Sequence, residues 1–319
     1  MTQNVESITD TLKKGYRNLR NNTSILSPIL IEIIVALVVA IVFGMIAGVV
    51  AVMTLSMGTN VFLTVYGILV FIIVLIILLI SAYFTAGLTG LARDAIANGT
   101  ANWNDMWAYG KKYFARFFWF TLIIAVISAL FQAPYLYSYM NYMTALIDSI
   151  GSLSTTSPYP YIQPNPMMSV YSLIGKILTY VLSFVTLFVT AAIIVDDLSL
   201  VDGFKKSFSV LKENFVKVLC FFLVIQIVIP ILIGVLFGIL LFIVLLLTAL
   251  SPIIGIILML ILILILIVLL IFFIALTVVW TTRYYMSLTG KPIFDETVKA
   301  NVDDAQIKND NEEENELNG

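Results

Sequence analysis

From Val218 to Trp280 the chain reads VLCFFLVIQIVIPILIGVLFGILLFIVLLLTALSPIIGIILMLILILILIVLLIFFIALTVVW, 63 residues without one formal charge. About 20 apolar residues cross the hydrocarbon core of a bilayer, so this stretch holds two crossings. Ser251-Pro252 falls between them, and proline suits the first position of a helix. A second uncharged run, Ile33 to Ala92, is 60 residues long and reads the same way. Working outward, six crossings can be placed: Ile25 to Val52, Val61 to Ala92, Phe117 to Ala133, Val170 to Val195, Val218 to Leu247 and Pro252 to Trp280. Composition agrees. Of 319 residues 61% are hydrophobic and 11% charged, with a mean hydropathy of +1.05, whereas a soluble domain carries roughly 25% charged residues. The fold class is all-α membrane, with six transmembrane helices arranged as three hairpins.

The same composition removes much chemistry. There is no His, and Cys220 is the only Cys. Disulfides within the chain, His/Cys zinc sites, His acid–base catalysis and a Cys–His nucleophile are therefore excluded. Cys220 sits just inside an apolar helix, where a desolvated thiol is inert. No P-loop, Gly-rich dinucleotide turn or strand pattern is present. No cofactor, metal or nucleic acid is called for.

Charge distribution sets the expected orientation. Lys13, Lys14, Arg17 and Arg20 precede the first crossing; Arg93, Lys111, Lys112 and Arg116 lie between the second and third. Lys205, Lys206, Lys212 and Lys217 lie between the fourth and fifth, and Arg283, Lys291, Lys299 and Lys308 follow the sixth. These are 16 of the 17 cations, all on one side of a six-crossing chain. Cations mark the cytoplasmic side, so both termini are expected there, in a cell membrane. The exception is Lys176, expected to snorkel at the outer mouth of the fourth helix. The first 24 residues are polar, so the first helix is expected to serve as an uncleaved anchor.

Self-comparison exposes a threefold internal repeat. Asp10, Leu12, Lys13, Lys14, Gly15, Tyr16, Leu19, Arg20 and Asn22 match Asp202, Phe204, Lys205, Lys206, Ser207, Phe208, Leu211, Lys212 and Asn214 at identical spacing. A looser middle copy runs through Asp105, Trp107, Gly110, Lys111, Lys112 and Arg116, and the three Asp lie 95 and 97 residues apart. Each unit, about 5–100, 101–197 and 198–300, reads as a cytoplasmic amphipathic helix followed by a two-helix hairpin. Val5, Ile8, Leu12, Tyr16 and Leu19 keep helical spacing, as do Phe204, Phe208, Leu211 and Phe215, with cations between them. Lys13, Lys14, Lys111, Lys112, Lys205, Lys206 and Lys212 are thus candidate contacts for anionic headgroups. Residues 1–300 form one membrane domain. The last 19, Asn301 to Gly319, carry seven acids and one Lys and are expected to be a disordered acidic cytoplasmic tail.

Other residues invite a functional reading. Pro134 to Ser169 is expected as a 36-residue outer connection with five of the nine Pro and six Tyr. A loop that long is functional or disordered: an aromatic cap on the outer leaflet, a lid, or a docking surface for a membrane or extracellular protein. Glu32 is the only acid inside a span, and intramembrane ionisable groups are functional candidates; Arg93 or Arg283 would be its partner. Gln226 adds polarity to the fifth helix. Asp196, Asp197 and Asp202 cluster after the fourth helix, either capping helices or meeting Mg²⁺ and phosphate oxygens. Small residues four apart, Ala36, Ala40, Gly44 and Gly48 in the first helix and Gly234 and Gly238 in the fifth, predict close helix packing within the monomer, with dimer formation as the alternative.

Gly87-Leu-Thr-Gly-Leu-Ala-Arg93-Asp94-Ala, Asp105…Gly110-Lys-Lys-Tyr-Phe and Asp197-Leu-Ser-Leu-Val-Asp-Gly-Phe-Lys-Lys-Ser207 resemble an archaeal family of six-helix integral membrane proteins with no assigned function. The layout is also similar to the membrane domain that precedes some glycerophosphodiester phosphodiesterases. The resemblance spans essentially the whole chain and implies a helical membrane fold in a prokaryotic cell membrane. It brings no activity, because the catalytic domain of those phosphodiesterases has no counterpart here. Three functions remain in view: a non-enzymatic membrane-organising or accessory component, a transporter or permease, and a lipid-modifying enzyme at the cytoplasmic face. Absent catalytic groups and the basic helices favour the first.

Overall fold

The computed structural model describes residues 5–55, 59–151 and 166–294; the expected acidic tail lies outside them. Among the described residues every regular element is helical. The helices are α1 (Ile8–Asn21), α2 (Ser27–Leu55), α3 (Thr59–Ala97), α4 (Asp105–Gly151), α5 (Met167–Val185), α6 (Val189–Val195), α7 (Leu200–Glu213), α8 (Phe215–Leu223), α9 (Ile229–Leu250) and α10 (Pro252–Leu288). A 3₁₀ turn at Thr23–Leu26 leads into α2, and a π turn at Val224–Val228 joins α8 to α9. Six stretches are long and apolar enough to cross a membrane: Thr23–Thr54, Thr64–Ala97, Asp105–Ala145, Met167–Val195, Phe215–Thr248 and Ile253–Leu288.

The two short polar helices start and stop by the same means. Ser7 accepts the Asp10 N–H at 3.1 Å and donates to the Asp10 carboxylate at 2.7 Å. Ser199 does the same at Asp202, at 3.2 and 2.6 Å. A serine hydroxyl at this position satisfies an N–H that has no partner inside the helix. Asn22 and Asn214 close the other ends, each side-chain amide donating to the carbonyl four residues back, at 3.1 and 3.4 Å.

Three spans depart from their expected outlines. α4 does not stop at Ala133 but runs through Pro134 to Gly151. Proline removes one backbone donor, yet Tyr135 to Ile150 holds no glycine or second proline, so the helix resumes. The expected 36-residue loop is thus helical over its first half; residues 152–165 lie outside the described residues. The fourth span breaks at Thr186–Phe188, between α5 and α6. Ser207 of α7 fills the gap, accepting from the Phe188 N–H at 3.3 Å and donating to the Val185 carbonyl at 3.1 Å. The fifth span absorbs Pro230 by widening to the π turn, where the Ile229 N–H reaches back to the Val224 carbonyl.

The tightly packed core sits at one end of the molecule. Leu19 and Ile25 meet Leu88, Leu91 and Ile96 of α3, Phe188 and Ala192 at the α6 end, Phe221 of α8, and Val279, Tyr284 and Tyr285 of α10. A second cluster joins Ala82 and Ala86 to Tyr113, Phe117, Val189 and Ile193. Away from this end α2 packs on α3, α4 on α5 and α9 on α10, while their outer faces carry exposed Val52, Ile253 and Leu264. Helices satisfy their own backbone groups and can show such surfaces only to lipid. The core end is the basic end.

Candidate functional site

At the basic end, side chains from distant parts of the sequence tie the helices together. Arg283 in the last turns of α10 is almost completely buried. Its Nε and Nη2 donate to the two carboxylate oxygens of Glu6, at 2.9 and 2.7 Å. Lys14 reaches the same carboxylate at 3.2 Å, and the Glu6 N–H donates to the Ser287 hydroxyl at 2.8 Å. The Trp280 indole N–H donates to the Leu12 carbonyl at 2.9 Å, with Gly15 beneath the ring. The segment before α1 is therefore held by a buried bidentate pair.

The three acids after the fourth span face different ways. Asp196 takes the Tyr285 hydroxyl on Oδ2, and Lys291 lies against Oδ1 as an ion pair without hydrogen-bond alignment. Asp197, in the left-handed region at φ 50°, pairs with Arg116 at 2.8 Å and Lys112 at 3.0 Å. Arg116, with help from Lys112, holds the Asp197 carboxyl down at about 2. Asp202 belongs to the α7 cap, and the Ser199 hydroxyl, then Lys205, keeps its carboxyl below the ordinary range. Among the described residues no three His, Cys, Asp or Glu side chains gather to hold a metal.

Glu32 meets neither expected cation. Arg283 is taken by Glu6, and Arg93 donates to the Tyr109 hydroxyl at 3.2 Å, which itself donates to Asp94 at 2.8 Å. Glu32 is half-buried and turns to Ser81 on α3. Gln226 lies half-buried on the π turn. The expected packing of Gly44, Gly48, Gly234 and Gly238 within the monomer is not made: a Cβ on any of them would meet nothing within 4 Å. α2 instead turns Val35, Val39, Phe43 and Ala47 inward, because that stripe continues the line of Ile31 from the core. The close helix approaches fall on other glycines, Gly87 and Gly90 against Met106 and Tyr109, and Gly110 against Tyr83.

The seven candidate lysines divide. Lys14 and Lys112 are in the ion pairs above, and Lys205 stands 3.5 Å from Asp202. Lys206 lines a recess of about 390 Å³ with Asp196, Leu198, Thr289 and Lys291. Lys13 and Lys111 are exposed. Along the outer side of α7 runs an exposed stripe of Val201 (62% exposed), Lys205, Phe208 (56%) and Lys212, continued at the start of α8 by Phe215 (49%), whose ring meets Phe184 of α5. A cavity of about 590 Å³ opens beside it, lined by Lys205, Phe208, Ser209, Lys212 and Glu213. The inward side of α7 buries Gly203, Ser207, Val210 and Leu211. The sequence marks neither Glu6 nor Tyr109, and it marks Ser207 only as a position of the repeat. Only Arg283, a lone cation beside three aromatics, signalled that a distant acid had to meet it.

Six apolar helices joined by a polar, ion-paired end define a multi-pass helical membrane protein. Residues 101–290 match the model of a family of unknown function (DUF7544), and the chain belongs to that family. No curated protein and no solved structure matches it.

Proposed function

We propose that this protein is a non-enzymatic membrane-organising component that seats its basic end on the anionic headgroups of one leaflet. The observation that carries the reading is the exposed stripe of α7 and the start of α8, in which Lys205 and Lys212 alternate with Val201, Phe208 and Phe215. Aromatic and aliphatic side chains enter the acyl boundary while lysines meet phosphates. On α1 the corresponding positions are Lys13, Tyr16 and Arg20, with Tyr16 46% exposed beside Phe272. The proposal includes the threefold repeat. Gly15 packs on Trp280 and Gly110 on Tyr83, while Ser207 fills the α5–α6 break, and these three positions lie 95 and 97 residues apart, as the three Asp do. It also includes an archaeal-type cell membrane with both termini on the cytoplasmic side, where the cations gather.

The test uses the full chain in nanodiscs of phosphatidylglycerol or phosphatidylcholine, with amide exchange of α7 as the readout. Each cation near an anionic surface is worth about 1 kcal/mol. Protection of α7 should therefore be roughly thirtyfold greater in phosphatidylglycerol, and lost in Lys205→Glu/Lys212→Glu. Equal exchange in both lipids removes the basis of the reading. The non-enzymatic half has its own check, because hydrolysis and group transfer need a positioned base, nucleophile or metal. Incubation with polar lipids, prenyl diphosphates and Mg²⁺ should give no products. Turnover that disappears in Asp196→Asn with the fold retained would overturn it.

A further inference from the structure

Among the described residues, Lys176 is the one cation far from the basic end. From Val195 back to Lys176 the fourth span covers 20 residues, about enough to cross one hydrocarbon thickness. Arg116 to Tyr135 in α4 covers the same length. At that level a cavity of about 580 Å³ lies against α4 and α5, lined by Tyr135, Met168, Ser169, Ser172, Leu173 and Lys176. None of its four polar side chains has a hydrogen-bond or ion-pair partner among the described residues. Tyr135 only stacks its ring on Tyr139, at 6.1 Å.

The donor set identifies the chemistry. An ammonium offers three N–H donors and no acceptor, and each hydroxyl can donate once. Among the described residues no carboxylate lines the cavity, so the group it suits is an anion with several acceptor oxygens. Met168 and Ser169 stand in the first turn of α5, where backbone N–H groups lack partners within the helix. Met168 and the 59% exposed Leu173 add an apolar side, which a free inorganic anion would leave unused and a lipid would cover. We infer that this cavity binds the phosphate of a lipid headgroup in the leaflet opposite the basic end.

Native mass spectrometry of the detergent-purified full chain, titrated with phosphatidylglycerol, tests the site. Cations at the basic end also take anionic lipid under the proposed function, so a Lys13→Gln/Arg20→Gln/Lys205→Gln/Lys212→Gln background is used to remove them. In that background one lipid should remain bound, and adding Lys176→Gln should weaken it about tenfold, the size of one charge-assisted hydrogen bond. Lys176→Arg should keep it. If Lys176→Gln fails to fold, Ser172→Ala and Tyr135→Phe decide, each expected to weaken binding severalfold. Undiminished binding in the Lys176→Gln or Ser172→Ala protein overturns the site. Inorganic phosphate should not displace the lipid; displacement by phosphate, with no preference for lipid, overturns the headgroup assignment. A basic end indifferent to lipid would leave this result untouched, so the two readings fail separately.

Discussion

Glu6→Ala should destabilise the protein by about 3–5 kcal/mol, the cost of stripping one partner from a buried ion pair. Arg283 is 1% exposed and cannot turn to water. Its guanidinium gives two parallel N–H donors to Glu6, at 2.9 and 2.7 Å, and the Glu6 carboxylate also meets Lys14. Removing the acid leaves a buried charge without its carboxylate and frees the segment before α1, with Trp280 losing its hold on the Leu12 carbonyl as α1 shifts. Denaturant unfolding in mixed micelles, followed by tryptophan fluorescence, gives the number. Glu6→Gln should lose less, because an amide oxygen still accepts one of the two hydrogen bonds. Replacing both members, Glu6→Leu with Arg283→Met, should recover part of the loss, since apolar pairs of similar volume often match buried ion pairs. A cost below 1 kcal/mol for Glu6→Ala would show that the pair does not hold the arm.

The membrane crossings were legible because a charge-free run of 63 residues leaves few alternatives. The boundary at Ala133 was misread for a local reason: proline followed by tyrosines looks like a loop, while the helix loses only one backbone bond there and continues. Ser7 and Ser199 show the converse. Each sits three residues before an acid, a spacing that marks a helix start, yet Asp10 and Asp202 drew the notice and the serines did not. Contacts between distant residues were the hardest to foresee. Glu6 and Arg283 are 277 residues apart, and nothing in spacing or periodicity links them. Glu32 lay nearer to the cations in any linear picture of the span, and it was assigned a partner that already had one. The small-residue stripes misled because glycine four residues apart permits close approach without requiring it. Gly44 and Gly238 meet no side chain.

Gly90 is where close approach is required, and Gly90→Ala should cost about 1–3 kcal/mol, the range for inserting a carbon into a packed interior. A Cβ there would come within 2.2 Å of the Tyr109 ring. The ring cannot swing aside freely, because its hydroxyl donates to Asp94 at 2.8 Å and accepts from Arg93 at 3.2 Å, and its face stacks on Tyr113 at 6.2 Å. Three residues earlier, a Cβ on Gly87 would meet Met106 at 2.6 Å. Together they let the start of α4 lie directly on α3, and any added side chain pushes the two helices apart at the base of the molecule. A double-mutant cycle isolates the contact. Measured in a Tyr109→Ala background, Gly90→Ala should be close to neutral, because the space it needs is then empty. The same loss in both backgrounds would place the cost in the α3 backbone and not in the ring. Coupling near the full value would identify the glycines of the Gly87-Leu-Thr-Gly90 segment as the surface on which α4 is laid, and thereby explain why that segment needs glycine at both positions.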